Sequence, residues 1–221
     1  GNFFVKVGDG VNAPRAHNLL EGLELLEGSC ETCASHGEHA DHAEHGEESE
    51  EHHHAHDHGD LMDPHVWLSP AMLTQQAQRI ASILKEHTPD EANDEIATNL
   101  ANLEADLAKV DAELKTALAP LKGQTFYVYH GAFAYFAQAY GLEQKAIEVN
   151  GREPTPKQVA EIAKQAKEDG VKLIFVQPQF AQTSAMSLAE TIGGQVHSLD
   201  PLERDVIANL HTIAEAIQMA K

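Results

Sequence analysis

Cysteine, basic residues and long apolar runs are all scarce in this chain, and each shortage narrows what it can be. Two cysteines in 221 residues are too few to staple a disulfide scaffold. Fifteen Lys and Arg stand against 35 Asp and Glu, a net charge of −20 with histidine neutral. Nucleic acid requires a basic surface and an anionic membrane requires basic clusters, so neither is an expected partner. No stretch reaches the run of about 18 apolar residues that a spanning helix needs. No signal peptide is visible, and the chain opens GNFFVKVGDG without Met, directly in a strand-like run; any address it carried is expected to lie outside this sequence. Aromatic residues make up 5%, with a single tryptophan, Trp67, read as a core anchor. Hydrophobic residues still reach 42%, enough for one large domain or two small ones.

Histidine is what the chain has in excess. Nine of its fifteen histidines fall in the acidic segment HGEHADHAEHGEESEEHHHAHDHGD, residues 36–60. Almost nothing there is apolar, so the segment is expected to be a mobile loop. Imidazoles interleaved with carboxylates suit zinc, copper or nickel, whereas magnesium and calcium prefer oxygen donors alone. His52, His53, His54, His56 and His58 form the densest part and are assigned as an auxiliary metal-collecting loop. Cys30 and Cys33 precede it as CETC, readable either as a local disulfide or as extra thiolate ligands.

The remainder alternates between two periods. FFVKV (3–7) reads as a strand, and LELL (23–26) as a short strand or a helix end. Ser69-Pro70 is a helix opening, a capping hydroxyl followed by proline at the first helical position, and the helix should run to about His87. From Asp90 to Leu118 the apolar positions Ile96, Leu100, Leu103, Leu107, Val110, Leu114 and Leu118 recur every three or four residues. That spacing predicts a rod of roughly 43 Å, its leucines all core. Beyond Gly123, strands are expected at 125–129, 145–149, 171–176 and 195–199. Helices should follow each of them, over 132–140, 155–170, about 183–192 and about 203–221. Such alternation implies an α/β fold with a four-stranded parallel sheet.

Ligands of open α/β sheets bind beyond the carboxyl ends of the strands. His130 directly follows TFYVY there, and Asp200 directly follows QVHSL. His65 sits in a turn just before a helix. Two imidazoles and a carboxylate are a partial zinc set, one donor short of four. His87, His197 and His211 are taken as structural, and His17 is left unassigned.

The chain resembles the zinc-binding extracytoplasmic component of bacterial ABC zinc importers, the ZnuA type of cluster A-I solute-binding proteins. The resemblance rests on MDPHVWLSP, the long helix, YHGAFAYFA, GREPTPKQ, VKLIFVQPQF and SLDPL, with the acidic histidine loop ahead of the first of these. It implies two α/β lobes joined by one long rigid helix, with Zn2+ in the cleft between them. Residues 1–88 would then be the remainder of an N-terminal lobe, 89–119 the linking spine and 120–221 the C-terminal lobe. It further implies His65 and His130 as metal ligands and Asp200 as a fourth ligand or nearby carboxylate. The family carries another ligand histidine in a DPH-type motif ahead of everything seen here. The implied protein is a periplasmic or extracytoplasmic monomer, not an enzyme, that passes zinc to the membrane permease of an ABC transporter. Three rivals remain. One is a manganese or iron carrier of the same fold. Another is a metallohydrolase using Glu148 or Glu153 as base, though no HExxH signature supports it. The third is a metal buffer with no transporter.

Overall fold

The computed structural model describes residues 4–7, 15–26, 62–149, 151–180 and 183–220. The histidine-rich segment and the CETC pair, and with them Cys30, Cys33, His52, His53, His54, His56 and His58, lie outside the described residues. Near the start, β1 (Phe4–Val7) pairs antiparallel with β2 (Arg15–Asn18). The first strand matches expectation; its partner, RAHN, carries no strand-like pattern. Leu23 to Leu26 form neither strand nor helix. All three leucines of this stretch, Leu23, Leu25 and Leu26, pack instead against Val66, Met72 and Tyr135, so tertiary contacts decide their use.

A short 3-10 turn (Val66–Leu68) leads into α1 (Pro70–His87). The helix has the expected bounds and its proline at the first turn. The Ser69 hydroxyl, however, makes no capping bond. Ser69 is buried where the 3-10 turn meets the helix, and its backbone N–H is bonded to Val66 O within that turn.

The long helix, α2 (Asn93–Leu118), follows a separate 3-10 turn over Asp90–Ala92. Its 26 residues span about 39 Å, about 4 Å less than the spacing predicted. Only its second half is core. Leu107, Val110, Leu114 and Leu118 are buried, whereas Ile96 and Leu100 are half-buried and Leu103 is 38% exposed. The first half of the apolar stripe is therefore not enclosed by the described residues. The second half enters the C-terminal cluster and packs on α6.

The C-terminal part is a parallel sheet in the order β4-β3-β5-β6, built of β3 (Thr125–Val128), β4 (Glu143–Ala146), β5 (Leu173–Val176) and β6 (Gln195–Ser198). The helices are α3 (Ala134–Tyr140), α4 (Pro156–Glu168), α5 (Thr183–Ile192) and α6 (Val206–Met219). Period-two alternation divides β3 between two cores. Phe126 and Val128 join α2, α3 and α6 on one face; Tyr127 and Tyr129 join α4 and α5 on the other. This is the three-layer arrangement expected of a buried parallel sheet. β4 begins two residues before the expected KAIEV and ends at Ala146, although Ile147 N and Glu148 N still bond to Val128 O and Tyr129 O, at 2.8 and 3.0 Å. The helix α4 opens with a full capping box between Thr155 and Gln158. Gly141 closes α3 at φ 66°, a left-handed position suited to glycine.

At the amino end of the sheet Asp169 accepts hydrogen bonds from Lys145 Nζ and the Tyr127 hydroxyl, both at 2.8 Å. The Lys145 bond holds its carboxyl below the usual carboxylate range, with the Tyr127 bond adding to this against the opposing effect of burial. A depressed folded pKa gives stability that is present above the unfolded value and is lost as pH falls through the folded one. Lys145→Met should therefore cost about 1 kcal/mol at pH 7. Urea melts repeated at falling pH should show that gap closing below about pH 4.

Candidate metal centre

His65 and His130 are 65 residues apart in the chain and meet. His65 closes the Asp63-Pro64-His65 turn ahead of the 3-10 residues. His130 lies just past β3, next to the point where successive connections leave toward β4 on one side and β5 on the other. Their Nε2 atoms are 3.2 Å apart and their ring centroids 5.1 Å apart. Two imidazoles on one tetrahedral zinc, each about 2.05 Å from it, would have nitrogens about 3.3 Å apart.

Each ring is held from behind by a carboxylate. His65 Nδ1 donates to Asp63 Oδ1 at 2.6 Å, and the same oxygen accepts the His65 backbone N–H at 2.8 Å. His130 Nδ1 donates to Glu148 Oε1. A donated Nδ1–H leaves the lone pair on Nε2. Both lone pairs then point into the same 3.2 Å gap, an arrangement that is repulsive unless a cation or proton lies between them. Asp63 is 3% exposed, and its second oxygen, Oδ2, is buried without a partner. A buried carboxylate with a free oxygen is costly on its own, and positive charge on the far side of His65 would offset that cost.

Further contacts fix the two turns. The buried Gln177 side chain accepts the His130 backbone N–H at 3.1 Å and donates to His130 O at 2.7 Å. Phe180 stacks on the His130 ring with centroids 5.0 Å apart. The Tyr135 hydroxyl donates to Asp63 O at 2.8 Å and accepts Leu26 N–H at 2.9 Å. Burial pushes the Tyr135 pKa up, with the Asp63 charge adding to the rise against the Leu26 bond. Tyr129 shifts the same way, through burial and then the charges of Glu153 and Glu148. Trp67 is more than a core anchor: its indole N–H donates to Pro201 O at 2.8 Å, tying the His65 turn to the loop after β6.

Asp200 occupies that loop. Its Oδ1 accepts from Gln179 Nε2 and from Leu202 N, each at 2.9 Å. Among the described residues no three His, Cys, Asp or Glu side chains are grouped to hold an ion, so the imidazole pair stands without Asp200 beside it here. Of the other histidines, His197 packs edge-on to Phe175 and His211 pairs with Glu113 at 3.3 Å. Asp63 and Gln177 escaped the sequence reading. Asp63 had a signal in its place two residues before a histidine, but Asp-Pro also reads as a turn; Gln177 had none.

Paired imidazoles, each backed by a carboxylate at the carboxyl edge of a parallel sheet, are an arrangement suited to holding a borderline metal ion. The comparisons place the chain more narrowly. The family described as "Zinc-uptake complex component A periplasmic" matches residues 2–220, and the chain belongs to that family. It is 35% identical over 156 residues to the high-affinity zinc uptake system protein ZnuA of Haemophilus influenzae, covering 70% of this chain and 46% of that protein. It is 33% identical over 150 residues to the zinc-binding protein AdcA of Streptococcus pyogenes, covering 66% and 28%. A crystal structure of ZnuA superposes with a TM-score of 0.70 at 40% identity, covering 72% of this chain and 62% of that one. A zinc-bound ZnuA deletion mutant superposes with a TM-score of 0.68, also at 40% identity, covering 72% and 61%. The chain thus spans half or less of the length of these curated relatives.

Proposed function

We propose that this chain binds Zn2+ through His65 Nε2 and His130 Nε2, as the metal-holding part of an extracytoplasmic solute-binding protein that delivers zinc to an ABC permease. The observation that carries the reading is the 3.2 Å separation of two Nε2 lone pairs, each enforced by a carboxylate on Nδ1. Zinc is the cargo. Neutral imidazoles accept it, Asp63 and Glu148 hold the rings in the donor tautomer, and water fills the remaining positions. Asp200 is the further carboxylate: release of its bonds to Gln179 and Leu202 would free an oxygen on the loop that Trp67 ties to the His65 turn. Long packing contacts along α1, α2 and α6 limit the movement that accompanies binding. Zinc is favoured over manganese or iron because manganese prefers more oxygen donors. The hydrolase reading is weakened because one oxygen of Glu148 is engaged with His130 Nδ1 and one of Glu153 with the Ser184 hydroxyl, which ties both carboxylates to positioning contacts.

The histidine-rich segment serves as a weak, multivalent collector near the cleft. Deleting residues 36–58 should leave one tight zinc site and lower the total stoichiometry. Isothermal titration of the full and shortened chains checks this. Loss of the tight phase along with the segment would place the site in the loop and end the cleft reading.

A further inference from the structure

A second pair of imidazoles lies well away from the first in sequence, and no step of zinc capture uses it. His17 belongs to β2 and His87 is the last residue of α1. Their rings lie 5.3 Å apart, centroid to centroid, inclined at 52°. The Nε2 atom of each is buried and has no hydrogen-bond partner. A neutral imidazole must present either an N–H or a lone pair at that atom, so each ring leaves a polar group unsatisfied whichever tautomer it adopts. A buried orphan of this kind costs on the order of 1–3 kcal/mol and calls for a specific cause, such as a bound water or ion.

The surroundings hold the pair together. Arg79 of α1 donates from Nε to Asn18 O at 2.9 Å and pairs through Nη2 with Glu21. Strand β2 is therefore fastened to the helix that bears His87, and the Arg79 charge is balanced by a carboxylate. His87 closes α1, where the helix dipole favours a cation.

The ring separation leaves room for a shared ion but is also that of ordinary ring pairs such as Tyr129 with Phe180 at 5.5 Å, so the unpartnered Nε2 atoms carry the reading. Two imidazoles on one tetrahedral ion, with nitrogens about 2.05 Å from it, have centroids about 5.2 Å apart. The cleft pair stands at 5.1 Å and this pair at 5.3 Å. The two pairs differ at the facing nitrogens and behind the rings: the cleft Nε2 atoms stand 3.2 Å apart, whereas those of His17 and His87 make no such contact with each other. No carboxylate is bonded to the ring nitrogens of His17 or His87 among the described residues, so this site should hold its ion more weakly than the cleft.

We propose that His17 and His87 form a second transition-metal site, which takes one borderline divalent cation (zinc, nickel or copper) between their Nε2 atoms and completes its shell with water. It would load after the cleft and would pin β2 to the end of α1.

Crystals of the full chain grown with zinc, with anomalous maps collected on both sides of the zinc edge, test this by location. The expected result is a zinc peak within about 2.1 Å of both Nε2 atoms, separate from the cleft peak. In His87→Gln that peak should vanish while the cleft peak stays. In His65→Ala/His130→Ala the cleft peak should vanish while this one stays. Those two variants separate failure of this site from failure of the cleft. Ordered rings with no anomalous signal between them, a water in that position, or a peak that survives His87→Gln would each overturn the proposal.

Discussion

Replacing His130 with alanine should abolish tight zinc binding, lowering affinity by more than about 100-fold. The estimate starts from the groups behind the ligands. Loss of a carboxylate that orients a metal-bound histidine costs about 10–100-fold, and loss of the histidine removes that carboxylate's effect together with a zinc–nitrogen bond. His65→Ala should match it. Glu148→Gln and Asp63→Asn should fall between these variants and the parent chain, because the ring stays but its tautomer and aim are no longer enforced. Competition against a chelator of known affinity, in the full chain, gives the ordering. The weak phase from the histidine-rich segment should be the same in all four variants. If His65→Ala/His130→Ala kept the tight phase, the 3.2 Å pair would be ordinary packing and the ion would be bound elsewhere. If Glu148→Gln were as damaging as His130→Ala, Glu148 would itself be a ligand.

The ordering also shows how much of the centre could be read from the residues. His65 and His130 were legible from position taken together with the nine-histidine segment and the family resemblance: one in a turn before a helix, the other just past a strand at the ligand-binding edge. Their supports were less so. Asp63 sits before Pro64, and Asp-Pro is a common turn opening, which hides its bond to His65. Glu148 was visible as an acid near the site, but its role depends on strand register. The expected strand KAIEV placed it inside a ladder, and Glu148 N does still bond Tyr129 O; it is the register with β3, Val128 opposite Ala146, that brings Glu148 beside His130, and a single-strand pattern does not show register. Asp200 was placed at the right edge, but a pattern cannot show that its oxygen is engaged with Gln179 and Leu202.

The fold follows the same rule. The parallel sheet was readable from the alternation of periods, and the continuous apolar runs mark the central strands β3 and β5; the edge strands β4 and β6 are only half-buried. The heptad-like stripe of α2 was readable as a helix and misleading about burial. Leu103 fits the apolar pattern as well as Leu107 does, yet one is 38% exposed and the other 1%. Periodicity says which residues share a helix face; whether another element covers that face is a tertiary fact. The same limit applies to Leu23–Leu26, whose leucines are used for packing without regular structure, and to Ser69, whose hydroxyl fits a cap it does not make.

Phe136→Ala should be the most destabilising single substitution among these, at about 3–5 kcal/mol. Phe136 is fully buried in the cluster that also contains Leu114 and Leu118 of α2 and Leu210 and Ile213 of α6, and its ring meets Tyr140 edge-on at 4.8 Å. Truncation would leave a cavity bounded by three helices and the sheet, and a helix of seven residues has little capacity to collapse into it. At about 2–4 °C per kcal/mol for a chain of this size, the melting temperature should fall by roughly 6–20 °C. The neighbouring residue supplies the control. Tyr135 faces the other way on α3, into the cluster with Val66 and Met72, and its hydroxyl joins Asp63 O to Leu26 N. Tyr135→Phe keeps the ring and removes only those two bonds, so it should cost about 1–2 kcal/mol. Its larger effect should fall on zinc affinity, because the turn that aims His65 loses its tether. Calorimetry and zinc competition on the two variants should therefore separate, with Phe136→Ala dominating the melting temperature and Tyr135→Phe changing affinity out of proportion to stability. If both changes fell equally on both measurements, α3 would be acting only as filler between the sheet and α2, and its role in setting the position of the metal centre would have to be given up.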